Sequence, residues 1–230
     1  FSTANVLVYN TTTKVATPLG VGRLSYNDWV VTGRVLSGAP GMSYIYKPQP
    51  DGNYVLWQNL RALDESNDDA FAIMDIQGNE MIVRACHADF YGTNSGVVYT
   101  FNLNAEGRWI QGQQIISSDI AAGDGFGYWA DVDGNQLIAT AYSDDNERGA
   151  NVGAVYLFEK NGSTWVQKQK ILPDQAVAGL YRADIYDDTI VASSSTGCVG
   201  YSTQYGSFVF QKDVNGVFKQ VLRIVGSGAG

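Results

Sequence analysis

Short runs of apolar residues, many of them broken by polar ones, fill most of the chain, as in Ala154-Val155-Tyr156-Leu157-Phe158-Glu159 and Trp165-Val166-Gln167-Lys168-Gln169-Lys170-Ile171. A two-residue period is that of strands with one face buried. Polar turn residues separate the runs: Asp51-Gly52, Gln77-Gly78-Asn79, Glu106-Gly107, Asp133-Gly134-Asn135, Asn161-Gly162 and Asn215-Gly216. Such pairs between alternating segments predict hairpins. No segment sustains a helical period, so the pattern predicts an all-β chain.

The runs recur. Gly96-Val97-Val98-Tyr99-Thr100-Phe101 and Gly153-Ala154-Val155-Tyr156-Leu157-Phe158 are close copies, with looser versions at Gly41-Met42-Ser43-Tyr44-Ile45-Tyr46 and Gly206-Ser207-Phe208-Val209-Phe210. The last aromatic falls at positions 46, 101, 158 and 210, at intervals of 55, 57 and 52. Seven or eight residues later comes a second large ring, at Tyr54, Trp109, Trp165 and Phe218. A β-branched run precedes each copy: Trp29-Val30-Val31, Met81-Ile82-Val83, Leu137-Ile138-Ala139 and Thr189-Ile190-Val191. One unit reads as four extended segments, Gly127 to Val132, Gln136 to Tyr142, Ala154 to Glu159 and Trp165 to Ile171. Four strands in roughly 50 residues, repeated, predict a β-propeller of four-stranded antiparallel blades. An irregular sandwich is the competing all-β fold. The units occupy about 19–66, 67–122, 123–176 and 177–230, and residues 1–18 hold a half repeat or pairing strand.

Phe126-Gly127-Tyr128, Val132 to Ala139, Ser143 to Asn146, Gly153 to Phe158 and Thr164 to Ile171 together resemble an FG-GAP repeat, the unit of integrin-α-like propellers. The resemblance is close in the third unit and degraded in the others. It implies a propeller fold, often closed by seven blades, and Asp-rich calcium loops in some repeats. Four units and a half leave three resolutions: a longer parent chain, a small five-bladed ring with an incomplete blade, or completion by a neighbouring subunit through a heterologous contact.

The chain has 230 residues, and 15 basic against 23 acidic side chains give a net charge of −8. That balance disfavours a nucleic-acid partner. No run approaches the roughly 18 apolar residues of a membrane helix, so no membrane insertion is expected. The opening Phe1-Ser2-Thr3-Ala4 resembles neither a signal peptide nor an initiator, which suggests a processed or excerpted chain. One histidine and two cysteines exclude a zinc site of four Cys/His ligands, and no nucleophile elbow surrounds His87.

Candidate sites are few. Asp131, Asp133 and Asn135 space oxygens as a hard cation would need, and Asp144 and Asp145, followed by Asn146 and Glu147, form a second acidic loop, so Ca2+ is the candidate ion. Ordinary Asp-Gly turn chemistry explains the first group equally well. Asn10 and Asn161 lie in N-glycosylation sequons. Cys86 and Cys198 occupy non-equivalent positions and are expected unpaired or intermolecular. His87 reads as a polar strand-end residue, and Asp64-Glu65 and Asp68-Asp69 as a solvated loop. Tyr91, Tyr142, Tyr201 and Tyr205, with Tyr181, fall outside the repeat anchors and form a possible ligand rim.

The absence of a coherent catalytic set points to a non-enzymatic extracellular or cell-surface module, structural or adhesive, binding protein or glycan. Self-association would use Ala4, Asn5, Val6, Leu7, Val8 and Tyr9 as a pairing strand and could build a fibre or coat. A carbohydrate-binding propeller is the alternative. A propeller hydrolase or lyase would require Asp75, Asp131 and Asp184, equivalent in three units, to converge.

Overall fold

A computed structural model describes residues 5–10, 15–21, 24–26, 29–34, 42–63, 70–175, 179–194 and 206–224, with side chains from residue 42 onward. The strands β1 (Asn5–Asn10) and β2 (Val15–Val21) form a two-stranded antiparallel sheet. Four four-stranded sheets follow. The first contains β3 (Leu24–Tyr26), β4 (Trp29–Arg34), β5 (Met42–Pro48) and β6 (Tyr54–Leu60). The second contains β7 (Phe71–Gln77), β8 (Glu80–Ala85), β9 (Val97–Leu103) and β10 (Trp109–Ile115). The third contains β11 (Phe126–Asp133), β12 (Gln136–Ala141), β13 (Ala154–Asn161) and β14 (Thr164–Ile171). The fourth contains β15 (Arg182–Tyr186), β16 (Thr189–Ser193), β17 (Ser207–Lys212) and β18 (Phe218–Ile224). Within each sheet the strands pair in sequence order, all antiparallel, and no helix occurs among the described residues.

Alternation along each strand sends successive side chains to opposite neighbours, and this stacks the sheets. Met81, Val83, Tyr99, Phe101 and Trp109 pack with Ile45 and Leu60 of the first sheet. Ile82, Val98 and Ile115, on the other face of the second sheet, pack with Phe126, Tyr156, Phe158 and Trp165 of the third. Ile138, Val155, Leu157 and Ile171 then meet Ile190, Phe208, Phe210 and Phe218 of the fourth. The repeated rings are therefore the packing surface each sheet offers to the one before it.

The glycine that opens the motif is required by this stacking. A Cβ on Gly96 would lie 2.1 Å from Phe126 O, and one on Gly153 would lie 2.4 Å from Leu180 N. Both residues have positive φ, so backbone conformation and close approach demand glycine together.

Glutamines fasten the outer strands. Gln58 donates to Trp109 O (2.7 Å) and accepts from Trp109 N (2.9 Å). Gln113 makes the same pair with Trp165 at 2.8 and 2.7 Å, and Gln169 with Phe218 at 2.7 and 2.9 Å. Each glutamine stands four residues after its own sheet's ring, at Tyr54, Trp109 and Trp165. A second set runs in the opposite sense: Leu63 N, Ser118 N and Asp174 N donate to Gln111, Gln167 and Gln220, each two residues after the ring. Part-buried backbone groups of the ring residues are satisfied by the first set, and the second set ties exposed N–H groups across the same junctions.

Candidate functional site

The first strands β7, β11 and β15 run side by side across the stack. Register aligns their side chains. Asp75 pairs with Ile82, Asp131 with Ile138 and Asp184 with Val191, the same position in three sheets. In the first sheet this position belongs to Leu24, opposite Val31. One row of the stack therefore carries a leucine followed by three carboxylates.

Asp131 sits at the centre of the row. Its Oδ2 accepts a hydrogen bond from Ile185 N at 2.8 Å. Burial pushes its carboxyl up to about 6, and the charges of Asp75 and Asp184 on either side add to the rise against the opposing backbone bonds. Asp75 Oδ1 accepts from Ile76 N at 2.7 Å, and Asp184 is exposed. The position that precedes the row by two residues holds Trp129 in β11 and Arg182 in β15, and the Arg182 guanidinium lies 3.9 Å from the Trp129 ring centroid. A carboxylate raised to about 6 and flanked by two others can take a proton from water.

A second acidic group differs in kind. Asp144, 1% exposed, receives Lys170 Nζ at 2.9 Å, Tyr156 Oη at 2.6 Å and Asn146 Nδ2 at 2.8 Å. Lys170 also bonds Asp119 at 2.7 Å, and the Tyr156 hydroxyl lies 2.9 Å from the same carboxylate. Burial opposes ionisation of Asp119, but the Lys170 and Tyr156 bonds outweigh it and hold the carboxyl below its ordinary value. Asp124, close by, is pushed up by burial and by the charges of Asp144 and Asp119, although Ala121 N donates to it. Every strong group here has a protein partner, which makes the cluster a strut between β13, β14 and their loops.

The candidate calcium residues fall in both places. Asp133 Oδ2 accepts from Asp187 N at 2.6 Å, Asn135 lies in the exposed β11–β12 turn, and Asp145 accepts from Asn151 N at 2.7 Å. Among the described residues, no three acidic, histidine or cysteine side chains group as a metal site would require. The tyrosines separate: Tyr142 stacks on Tyr181 with centroids 5.3 Å apart, Tyr128 joins them at 4.9 and 5.5 Å, and Tyr91 borders a groove with Ile120, Phe158 and Val166 between the outer strands of the second and third sheets. Tyr201, Tyr205, Cys198, Ala4 and residues 64–69 lie outside the described residues. Asn5, Val6, Leu7, Val8 and Tyr9 form β1, paired with β2, and Asn10 ends that strand. Asn161 is exposed at the β13–β14 turn. Cys86 is a buried free thiol whose pKa burial raises, and His87 is half-buried in the turn after β8.

The glutamines and the Lys170 cluster are the features that reading the sequence missed. The glutamines carry a signal, a fixed offset of two or four residues from the repeated ring. The Asp144–Lys170 pair carries none, because 26 residues and a loop separate partners that only the strand pairing brings together.

The fold matches solved structures described as putative 6-phosphogluconolactonases. One, from Bacteroides uniformis, is 15% identical with a TM-score of 0.60, and the match covers 98% of this chain but only 66% of that one. Another, from Bacteroides fragilis, is 13% identical with a TM-score of 0.45, covering 96% and 77%. No curated protein matches in sequence. At such identity the likeness concerns the fold. It nevertheless corrects two expectations, that the chain is a non-enzymatic structural or adhesive module and that it is no enzyme: the sheet stack taken for a bare scaffold is also that of a structure described as a putative enzyme. A lone histidine excludes histidine-dependent nucleophiles but leaves carboxylate chemistry open. Residues 109–158, from the start of β10 to Phe158 in β13, match the FG-GAP repeat model, and the chain carries an FG-GAP repeat.

Proposed function

We propose that the four sheets are successive blades of a propeller and that the chain belongs to a hydrolase acting on a lactone or related ester, with Asp131 as general base. The observation that carries this reading is the convergence of Asp75, Asp131 and Asp184 from equivalent positions on three neighbouring strands. The fold match to structures described as putative 6-phosphogluconolactonases supports sugar lactones as the first substrate class to test.

In the reaction, Asp131 takes a proton from a water molecule whose oxygen attacks the acyl carbon. The ring C–O bond breaks, and the proton passes to the departing alkoxide oxygen. Asp131 is regenerated, and the product is the hydroxy acid. Arg182, held over Trp129, is the nearby cation suited to the carbonyl oxygen or to an anionic group on the substrate.

The test is hydrolysis of a panel of five- and six-membered sugar lactones, phosphorylated and not, followed by base uptake. The expected result is a rate above the spontaneous one with an acid limb near pH 6, and a loss of about 10²–10⁴-fold in Asp131→Asn. A rate equal to the spontaneous one across the panel, or full activity in the Asn variant, would sink the proposal.

A further inference from the structure

Arg84 in β8 pairs with Val98, and the strand registers put Gly33, Thr140 and Ser193 at the same place in the other three sheets, opposite Ser43, Val155 and Ser207. Three short residues and one arginine share this position, so the length and charge of Arg84 answer no general need of the fold. Part of its role is the ordinary one. Thr140 Oγ1 donates to Tyr181 O at 3.2 Å between the third and fourth sheets, and Arg84 Nη1 donates to Tyr128 O at 2.5 Å between the second and third. These acceptors stand three residues before Asp184 and Asp131 respectively. A hydroxyl is long enough to make this bond.

What the arginine adds is a charge and a free edge. With Nη1 engaged, Nε and Nη2 remain, two donors set side by side in the fork that matches a carboxylate or phosphate. Nε is buried and has no hydrogen-bond partner among the described residues. No ion pair among those residues includes Arg84, and its side chain is half-buried. The Tyr128 ring, its centroid 5.5 Å from Cζ, offsets only part of the cost of such a cation.

The same ring leads into a tyrosine group. Tyr128 lies 4.9 Å from Tyr142 and 5.5 Å from Tyr181, centroid to centroid. Two glycines make room for it, since a Cβ on Gly125 would lie 2.1 Å from Tyr142 Cε1 and one on Gly179 would lie 2.9 Å from Tyr181 Cε2. All three tyrosines are half-buried, and the hydroxyls of Tyr128 and Tyr142 bond no protein group among the described residues. Unpartnered donors thus gather beside the unpaired cation.

We propose that Arg84, with Tyr128 and Tyr142, forms a binding site for an oxyanion, the carboxylate or phosphate group of a small molecule. The guanidinium edge takes two oxygens of the group, and the phenol hydroxyls supply further donors. Tyr128 precedes Asp131 by three residues in β11, on the order of 10 Å along a strand, so a ligand anchored here can extend toward the carboxylate row. Identifying that ligand with the substrate of the hydrolysis rests on the hydrolase reading; the anion site itself does not.

The fold supplies the variant that tests it. Arg84→Thr gives this position the side chain of the next junction, which keeps a donor for Tyr128 O and removes the charge. The measurement is calorimetric titration of the full chain with inorganic phosphate, gluconate and, as the uncharged control, glucose. Wild type is expected to bind at least one anion saturably, more weakly as salt rises, and glucose not at all. Binding of phosphate alone or of gluconate alone names the group; binding of both supports the shared chemistry. Arg84→Thr should weaken anion binding at least about tenfold with an unchanged circular dichroism spectrum. Should that variant fail to fold, Tyr142→Phe, which keeps the ring and loses the hydroxyl, carries the test with an expected loss of about threefold or more. No binding of either anion, or wild-type affinity in the folded variant, would overturn the proposal. Repeating the titration in Asp131→Asn keeps the two readings apart, because anion binding should persist there whether or not wild type hydrolyses lactones.

Discussion

Two trios of aspartates lie in this molecule and have opposite physics. Asp119, Asp124 and Asp144 surround Lys170 and Tyr156, whereas Asp75, Asp131 and Asp184 share a row into which no ion pair reaches among the described residues. In the first trio a cation offsets the cost of burying carboxylates, and Asp119 ionises more readily than an isolated carboxyl. In the second, burial and like charge act together, and Asp131 holds its proton up to about pH 6. In the first, Asp119 contributes stability at neutral pH while the raised Asp124 works against it; in the second, Asp131 costs stability there. A protein retains such a cost most readily where the poised proton is used.

The largest expected effect comes from removing the cation. Lys170→Met leaves Asp144 buried without its counter-charge and should lower unfolding free energy by about 3–5 kcal/mol in urea titration. A loss below about 1 kcal/mol would mean the trio is not a strut. Tyr156→Phe removes the hydroxyl shared by Asp119 and Asp144, and should cost about 1.5–3 kcal/mol in the same measurement.

The second trio should respond with the opposite sign. Asp131 binds its proton more tightly folded than unfolded between the ordinary carboxyl value of 3.8 and about 6, so its contribution to stability falls as pH rises through that window. Asp131→Asn should therefore gain on the order of 1 kcal/mol at pH 8 relative to wild type, with the gain vanishing below pH 4. Asp119 behaves conversely, since its lowered pKa gives stability that is lost as pH falls below 3.8. Paired denaturation curves at pH 2, 4, 6 and 8 separate the two, the Asp119 effect appearing between pH 4 and 2 and the Asp131 effect between pH 4 and 8. The smallest effect is that of Asp75→Asn, which removes one like charge from beside Asp131 and should move the acid limb of hydrolysis down by a few tenths of a pH unit. An unmoved acid limb would mean that the charges of Asp75 and Asp131 do not couple.

Sequence and structure agree most closely where a period is involved. The segments expected in the third unit, such as Gln136 to Tyr142, correspond to β12 at Gln136–Ala141 and its neighbours, because alternation and Asp-Gly or Asn-Gly turns act locally. The equivalence of Asp75, Asp131 and Asp184 was legible for the same reason. Their environment was not: Asp131 is half-buried against the sheet that follows it, while Asp184, in the last sheet of the described residues, is exposed, a difference of tertiary order. The Asp131-Val132-Asp133-Gly134-Asn135 run illustrates the limit. Its spacing suits a cation, yet in the folded chain Asp131 and Asp133 accept backbone N–H groups from β15 and the turn after it.

The glutamine fastenings have a consequence for how such a chain can grow. Gln58, Gln113 and Gln169 each recognise only the main-chain N–H and C=O of the next ring residue, groups that Trp109, Trp165 and Phe218 all present alike. A unit joined through its peptide bonds need not match its neighbour's side chains at that point. Gene duplication could therefore append a unit that fits at once, and later drift in one copy would leave the adjoining seams intact. The unequal wear of the copies, sharp at Gly153 to Phe158 and blurred at Gly41 to Tyr46, is what such tolerant seams would permit.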